Sequence, residues 1–207
     1  MSTALTGSFG PAMMGVMEPS EQLASAEGSV ETSKAAIARV AKVMFTEHGF
    51  APTSVRAIAA AANIDPALVI RYFGSKEELF LETISMEGQF GTAIDGPLEG
   101  MGTRIIAHLL SGDRAKLLRT YAALLGASER EEVRSRLEEA MESLFIRPIA
   151  PRLKGSHREL RARLIAAQVG GLLTSLAILH DQTLLAENKT RLTKLYGRAL
   201  QHLINDN

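Results

Sequence analysis

Hydrophobic side chains recur at three- and four-residue intervals from about residue 31 to the end of the chain, and alternating runs rich in Val, Ile and Thr are missing. This is the period of amphipathic helices, so the sequence predicts an all-α fold. The predicted helices cover about 32–48, 54–62, 66–72, 103–111, 114–126, 129–147, 156–181 and 188–204, and one more begins after Ser75 and ends near Gln89. The stretch 91–103 contains four glycines and one proline, which predicts a loop or a broken helix.

Capping residues mark the ends of the short helices near the N-terminus. Thr53 is predicted to cap the second helix, and Asn63 is a residue type that tolerates the left-handed turn that ends it. Asp65 and Pro66 have the form of a cap followed by the first helical residue. Ser75 begins a Ser-x-x-Glu capping box that opens the fourth helix.

The chain is predicted to have three parts. Residues 1–30 contain no Lys or Arg and many Gly, Ser and Met, which predicts a disordered tail without the basic start and apolar run of a secretory signal. Residues 31–80 form a small N-terminal bundle and residues 81–207 a larger helical domain. No internal repeat of 20–50 residues is evident.

Composition and charge limit the kinds of function. The 207 residues carry 23 basic and 23 acidic side chains and no Cys, so any contact with nucleic acid must come from a local, shaped site. The absence of Cys and of an apolar run of membrane-spanning length suits a cytoplasmic protein without a membrane partner. No nucleotide-binding loop or metal-binding His pattern occurs, so we expect no catalytic residues, no metal and no cofactor.

Two short helices are separated only by residues 62–64, a turn that is typical of a helix-turn-helix. A helix of about 10–12 Å diameter fits the DNA major groove, which is about 12 Å wide. Short helix pairs with tight turns also occur in many other all-α proteins, so the geometry alone leaves DNA binding open.

The segment AKVMFTEHGFAPTSVRAIAAAANIDPALVIRYFGSKEELF, residues 41–80, resembles the DNA-binding domain of the TetR family of transcriptional regulators. The matching features are Phe45 and Gly49 at the end of the first helix, Thr53-Ser54-Val55 at the start of the second, Ile58-Ala59 within it, Ile64 in the turn, and Phe73-Gly74-Ser75-Lys76 before Glu77-Glu78-Leu79. The resemblance implies a three-helix helix-turn-helix domain followed by a larger helical domain for ligand binding and dimerisation. It further implies a homodimer, a (pseudo)palindromic double-stranded DNA operator and a small-molecule effector, typically one that releases a repressor.

The expected DNA-binding residues lie on three helices. The start of the second helix offers free N–H groups and hydroxyls to a phosphate, while the third helix enters the groove and Lys76 meets a phosphate at the start of the fourth. The candidates are Thr53, Ser54, Arg56, Pro66, Ala67, Leu68, Ile70, Arg71, Tyr72 and Lys76. Leu68 and Ile70 stand where hydroxyl-bearing residues are frequent in the family, so they contact thymine methyl groups or, alternatively, pack on another part of the protein. Lys76 has the alternative of a solvated surface lysine.

The last two long helices have broad apolar faces, which the resemblance assigns to a homodimeric four-helix bundle. The expected interface residues are Leu164, Gly171, Leu172, Leu179, Leu192, Tyr196 and Leu200. The alternative is that these residues belong to the core of the monomer.

Polar and soft side chains on the central helices are candidates for a ligand pocket, although each signal is weak. They are His108, Tyr121, Met141, Phe145, Gln168, Leu172 and Ser175. His108 is more often a structural histidine in such a setting. The alternative function is a helical small-molecule carrier or interaction module that does not bind DNA.

Overall fold

The computed structural model describes residues 19–112 and 114–206, all of whose regular elements are helices. They are α1 (Pro19–His48), α2 (Val55–Ala62), α3 (Pro66–Phe73), α4 (Lys76–Thr83), α5 (Gly91–Ile94), α6 (Met101–Leu109), α7 (Arg114–Gly126), α8 (Glu131–Met141), α9 (Arg147–Ile149), α10 (Arg158–Ala177), α11 (Gln182–Ala186) and α12 (Lys189–Asn205). A π-helical turn over Glu142–Ile146 joins α8 to α9. The predicted all-α fold is confirmed.

Two helix boundaries differ from the prediction. Helix α1 begins at Pro19, earlier than the predicted start near residue 32, and residues 1–18 of the predicted tail lie outside the described residues. Helix α4 ends at Thr83 and not near Gln89, because Ile84 takes an extended conformation. That conformation lets Ile84 and Met86, two residues apart, both enter the core.

The predicted helix 129–147 is interrupted in its last third. Helix α8 ends at Met141, and the wider π-helical turn follows at once. Within this turn the consecutive residues Phe145 and Ile146 are both buried, and Phe145 lies against Phe90 with ring centres 5.0 Å apart. The π-helical turn therefore serves to bring two adjacent apolar side chains into the core.

The buried apolar side chains form one connected cluster that runs from α1 through the central helices to α12. At the N-terminal end of this cluster the rings of Phe45 and Phe50 each contact Phe80 at 5.1 Å between centres. The N-terminal helices and the C-terminal helices thus share packing, and α4 touches both α1 and α8.

Helices α6 and α12 cross at two glycines and make the closest helix pair in the described chain. A Cβ on Gly197 would lie 2.7 Å from the Thr103 Cα, and a Cβ on Gly102 would lie 2.7 Å from the Gln201 main-chain nitrogen. The Gln201 side chain fastens the crossing, since its Oε1 accepts from the Gly102 N–H at 3.0 Å. The two helices therefore touch through their backbones.

Three arginines hold loops by donating to main-chain carbonyl oxygens. Arg104 donates to Ala93, Pro97 and Glu99, and Arg152 donates to Ile94 and Gly96. Arg161, which is buried, donates to Lys154, Leu203 and Asp206 and so fixes the C-terminal end of α12. Within 19–112 and 114–206 no helix is long and apolar enough to cross a membrane.

Candidate nucleic-acid interface

The turn between α2 and α3 is built from the capping residues that the sequence indicates. Asn63 takes the left-handed conformation with φ 55°. The N–H groups of Ile64 and Asn63 donate to the carbonyls of Ala59 at 2.9 Å and Ala60 at 3.1 Å, the paired bonds of a Schellman motif. The Asp65 carboxylate then accepts from the Ala67 N–H at 2.7 Å. These bonds fix α3 at a set angle to α2.

Helix α3 divides into a buried face and an open face. Val69 and Phe73 are buried against α1 and α2. Pro66, Ala67, Ile70 and Arg71 are exposed and follow one another at the spacing of a single helical face. Ile70 is 45% exposed, so it does not pack on another part of the monomer, while Leu68 is half-buried beside it. The open face is largely apolar and has Arg71 as its one long donor.

At the start of α2 the structure differs from the expected role of Thr53. Ser54, not Thr53, caps the helix, and its Oγ accepts from the Ala57 N–H at 3.1 Å. Thr53 is only 2% exposed, and its hydroxyl donates to the Gly49 carbonyl at 2.8 Å. The Thr53 hydroxyl therefore faces the protein interior. Ser54 and Arg56 remain at the surface.

Lys76 lies on an aromatic ring at the edge of the helix-turn-helix. Its Nζ is 4.1 Å from the centre of the Phe50 ring and 3.4 Å from the Ala51 carbonyl oxygen, to which it donates. Burial lowers the pKa of Lys76 from its ordinary value, the neighbouring Glu77 raises the pKa, and Arg130 lowers it. The ammonium is held in place beside the loop that leads to Ser54.

Other polar side chains of this bundle have partners within the protein. Lys34 on α1 pairs with Glu82 at 3.1 Å and lies over the Phe73 ring. Tyr72 is half-buried and packs against the core. Ser75 caps α4 by accepting from the Glu78 N–H at 3.0 Å, which confirms one half of the predicted capping box.

Sequence reasoning missed Arg130, which comes from the segment before α8 and reaches this bundle. Its guanidinium donates to the Glu77 carboxylate at 2.7 Å and lies 5.1 Å from the centre of the Phe50 ring. The run Glu129-Arg130-Glu131-Glu132 is typical of a solvated helix face. No local signal in the sequence distinguishes Arg130 from its neighbours.

A cavity of about 260 Å³ lies between α4 with the segment that follows it and α8. Its apolar lining consists of Leu81, Ile84, Met86, Leu124, Leu137 and Ala140. The carboxylates of Glu82, Glu87 and Glu139 and the guanidinium of Arg136 surround this lining. None of the seven residues expected at a ligand pocket lines this cavity.

Of those seven residues, Phe145 and Leu172 are buried in the core, and the other five are half-buried. Phe145 and His108 pack on the Phe90 ring, with centres 5.0 and 5.5 Å away. The Tyr121 hydroxyl makes hydrogen bonds with the Gly170 carbonyl and the Thr174 hydroxyl. Leu172 is buried, the Gln168 carbonyl accepts from the Tyr196 hydroxyl, and the Ser175 hydroxyl donates to the Gly171 carbonyl. Met141 borders a separate, open groove.

The expected interface residues separate into exposed and buried sets. Leu164, Gly171 and Leu179 are exposed, whereas Leu172, Leu192 and Leu200 are buried and Tyr196 is half-buried. Helix α10 exposes an apolar stripe at helical spacing that Ser175 interrupts, and α12 exposes two further apolar residues. The stripe consists of Leu160, Leu164, Ala167, Gly171, Ile178 and Leu179 on and just after α10, with Leu195 and Ala199 on α12. For Leu172, Leu192 and Leu200 the alternative of a monomer core is the correct one.

Comparisons with known families match both parts of the chain. The model described as bacterial regulatory proteins, tetR family, matches residues 37–83. The model described as tetracyclin repressor-like, C-terminal domain, matches residues 99–204, which is more than half of the chain. No curated protein sequence gives a significant match.

Solved structures with the same fold come from several bacteria. A TetR-family regulator from Streptomyces coelicolor A3 is 28% identical, covers 83% of this chain and 94% of its own, and has a TM-score of 0.54. GusR from Salmonella enterica is 22% identical with coverages of 84% and 95% and a TM-score of 0.65. NalD from Pseudomonas aeruginosa, the secondary repressor of the MexAB-OprM multidrug efflux pump, is 20% identical with coverages of 86% and 99% and a TM-score of 0.64. The last two show likeness of fold alone.

The helix-turn-helix with its open α3 face and the helical domain behind it define a DNA-binding transcriptional regulator. The chain belongs to the TetR family of bacterial regulatory proteins.

Proposed function

We propose that this protein is a repressor that binds a pseudo-palindromic operator as a homodimer and leaves it when a small molecule binds. The observation that carries this proposal is the open face of α3, where four residues face solvent side by side. The exposed Ile70 on this face has a use in contact with thymine methyl groups. Arg71 supplies the donor for a guanine or a phosphate.

We further propose contacts with DNA phosphates beside this face. The groups that make them are the N-terminus of α2, with Ser54 and Arg56, and the ammonium of Lys76. Residues 31–80 carry six basic and five acidic side chains. One copy therefore has little net electrostatic attraction for DNA. Two copies bound to two half-sites together have more phosphate contacts and a higher affinity.

The apolar stripe on α10 and α12 is the surface that we propose for the second copy. Soluble monomers seldom expose so many neighbouring apolar side chains. Small residues, Ala167 and Gly171, lie in the middle of the stripe and permit close approach of a partner helix. Pairing α10 and α12 with the same helices of a second copy gives a four-helix bundle with two-fold symmetry.

The cavity between α4 and α8 is the site that we propose for the effector. Its lining combines apolar side chains with three carboxylates and one guanidinium, which suits a small amphipathic compound. We expect compounds that raise the melting temperature of the protein to release it from DNA. Filling the cavity by Ala140→Phe should abolish that release while DNA binding persists.

Fluorescence anisotropy with a labelled duplex from the region upstream of its own gene tests the DNA contact. We expect Arg71→Ala to weaken binding to this duplex more than to a scrambled duplex, because base contacts carry the sequence information. Arg158→Ala, a change of an equally exposed arginine at the start of α10, is the matched control and should bind as the unchanged protein does. Equal affinity for both duplexes at every salt concentration would instead favour the carrier function.

A further inference from the structure

Two cations from different parts of the chain meet on the ring of Phe50. Lys76 belongs to α4 and lies 4.1 Å from the ring centre. Arg130 precedes α8 in the C-terminal domain, and its guanidinium carbon lies 5.1 Å from the same ring centre. Phe50 itself is fixed by stacking on Phe45 and by edge contact with Phe80. The ring is thus a rigid platform for both charges.

One carboxylate belongs to the same cluster. Glu77 follows Lys76 in α4, and its charge acts on the ammonium of Lys76. The Oε1 of Glu77 accepts from the Arg130 guanidinium at 2.7 Å. With Arg130 in place the cluster has two positive charges and one negative charge, and without Arg130 the charges of Lys76 and Glu77 cancel.

We propose that Arg130 is a positioning residue for DNA binding, which holds the Glu77 carboxylate and so keeps Lys76 available to a DNA phosphate. This inference rests on the phosphate contact proposed for Lys76. A phosphate that approaches Lys76 meets a carboxylate already paired with Arg130. Removing Arg130 frees Glu77 to pair with Lys76 and to repel the phosphate.

The solvent exposure of the Arg130–Glu77 ion pair distinguishes a role in DNA binding from a role in stability. The side chain of Arg130 is 53% exposed and that of Glu77 is 27% exposed, and ion pairs that remain open to solvent contribute little to stability. Loss of Arg130 should therefore change DNA affinity much more than it changes the unfolding transition. The effect should be equal for specific and non-specific DNA, because a phosphate contact carries no sequence information.

A double-mutant cycle on Arg130 and Glu77 tests the proposal by anisotropy with the upstream duplex and a scrambled duplex at several salt concentrations. We expect Arg130→Gln to weaken binding to both duplexes about fivefold at low salt. Glu77→Gln alone should change affinity by less than about twofold, since Arg130 already neutralises Glu77. The double variant should recover nearly the affinity of the unchanged protein.

Two control variants separate the possible outcomes. Arg134→Gln removes another exposed arginine paired with a glutamate in α8 and should have no effect. If Arg130→Gln has no effect, or if the effects of the two substitutions simply add, the proposal is overturned. Lys76→Ala should lower the salt slope by about one; an unchanged slope would refute the phosphate contact of Lys76 itself. A lowered slope together with a silent Arg130→Gln would refute only the role of Arg130.

Discussion

Thr53 and Ser54 are neighbours in the sequence, yet their hydroxyls have different partners. Ser54 satisfies the Ala57 N–H at the start of α2 and stays at the surface. Thr53 satisfies the Gly49 carbonyl inside the loop that ends α1. A substitution at each position therefore tests a different property of the molecule.

Thr53→Val should lower the free energy of unfolding by about 1–3 kcal/mol, because a buried carbonyl loses its hydrogen bond. DNA affinity, measured where the protein is fully folded, should not change. Urea unfolding followed by circular dichroism, with anisotropy on the same samples, checks both statements. Loss of DNA affinity at unchanged stability would show that the Thr53 hydroxyl does reach a phosphate. Ser54→Ala is the comparison variant and should cost about 1 kcal/mol as a lost helix cap.

Among the elements, α6 and α12 depend most directly on glycine. Gly197→Ala places a methyl group against the Thr103 backbone, where no flexible side chain can move aside. We expect it to lower the free energy of unfolding by about 1–3 kcal/mol, as overpacking does. Gly126→Ala is the matched control, since nothing lies within 4 Å of a Cβ there, and helix propensity makes it neutral or slightly stabilising. Similar urea unfolding midpoints for the two variants would mean that α6 and α12 can move apart without loss of stability.

The elements that could be predicted from the sequence are those with local signals. Asn63, Asp65 and Ser75 mark the end of α2 and the starts of α3 and α4 because each satisfies backbone groups a few residues away. Pro66 marks the start of α3 because it has no N–H to leave unpaired in the first turn. The early end of α4 has no such signal. It depends on Ile84 and Met86 reaching a core that is formed by distant helices.

The candidate site was predictable only in part, for a related reason. The open face of α3 follows from its helical period. The cavity and the Arg130–Glu77 pair join chain segments more than 35 positions apart, and one sequence gives no measure of such distances. On α10 and α12, apolar residues that face the core and apolar residues that face solvent look alike, so Leu172 and Leu200 could not be told from Leu164.

At the scale of the whole molecule, the stripe on α10 and α12 is the surface that we propose for assembly of two copies. Leu164→Glu places a charge on a side chain that is 43% exposed, so the monomer should fold normally. In a dimer the same charge would be buried and unpaired. We expect a folded monomer by light scattering and circular dichroism, with loss of operator binding, because two α3 helices about 34–36 Å apart are needed for two half-sites.

Leu172→Glu is the contrasting variant for this surface. Leu172 is only 2% exposed within one copy, so the charge should destabilise the monomer itself. A folded dimer after Leu164→Glu would place the interface on other helices. A folded monomer after Leu172→Glu would show that Leu172 is not part of the core.

The arginines that hold loops by carbonyl oxygens have a consequence for how the protein responds to ionic strength. Arg161 is buried and Arg152 is half-buried, and mobile ions screen little where both donate to main-chain carbonyls. The contacts that we propose with DNA phosphates lie at the surface and should weaken steeply as salt rises. A rise in cellular potassium would therefore empty the operator without unfolding the repressor, and a return to low salt would restore occupancy without new synthesis.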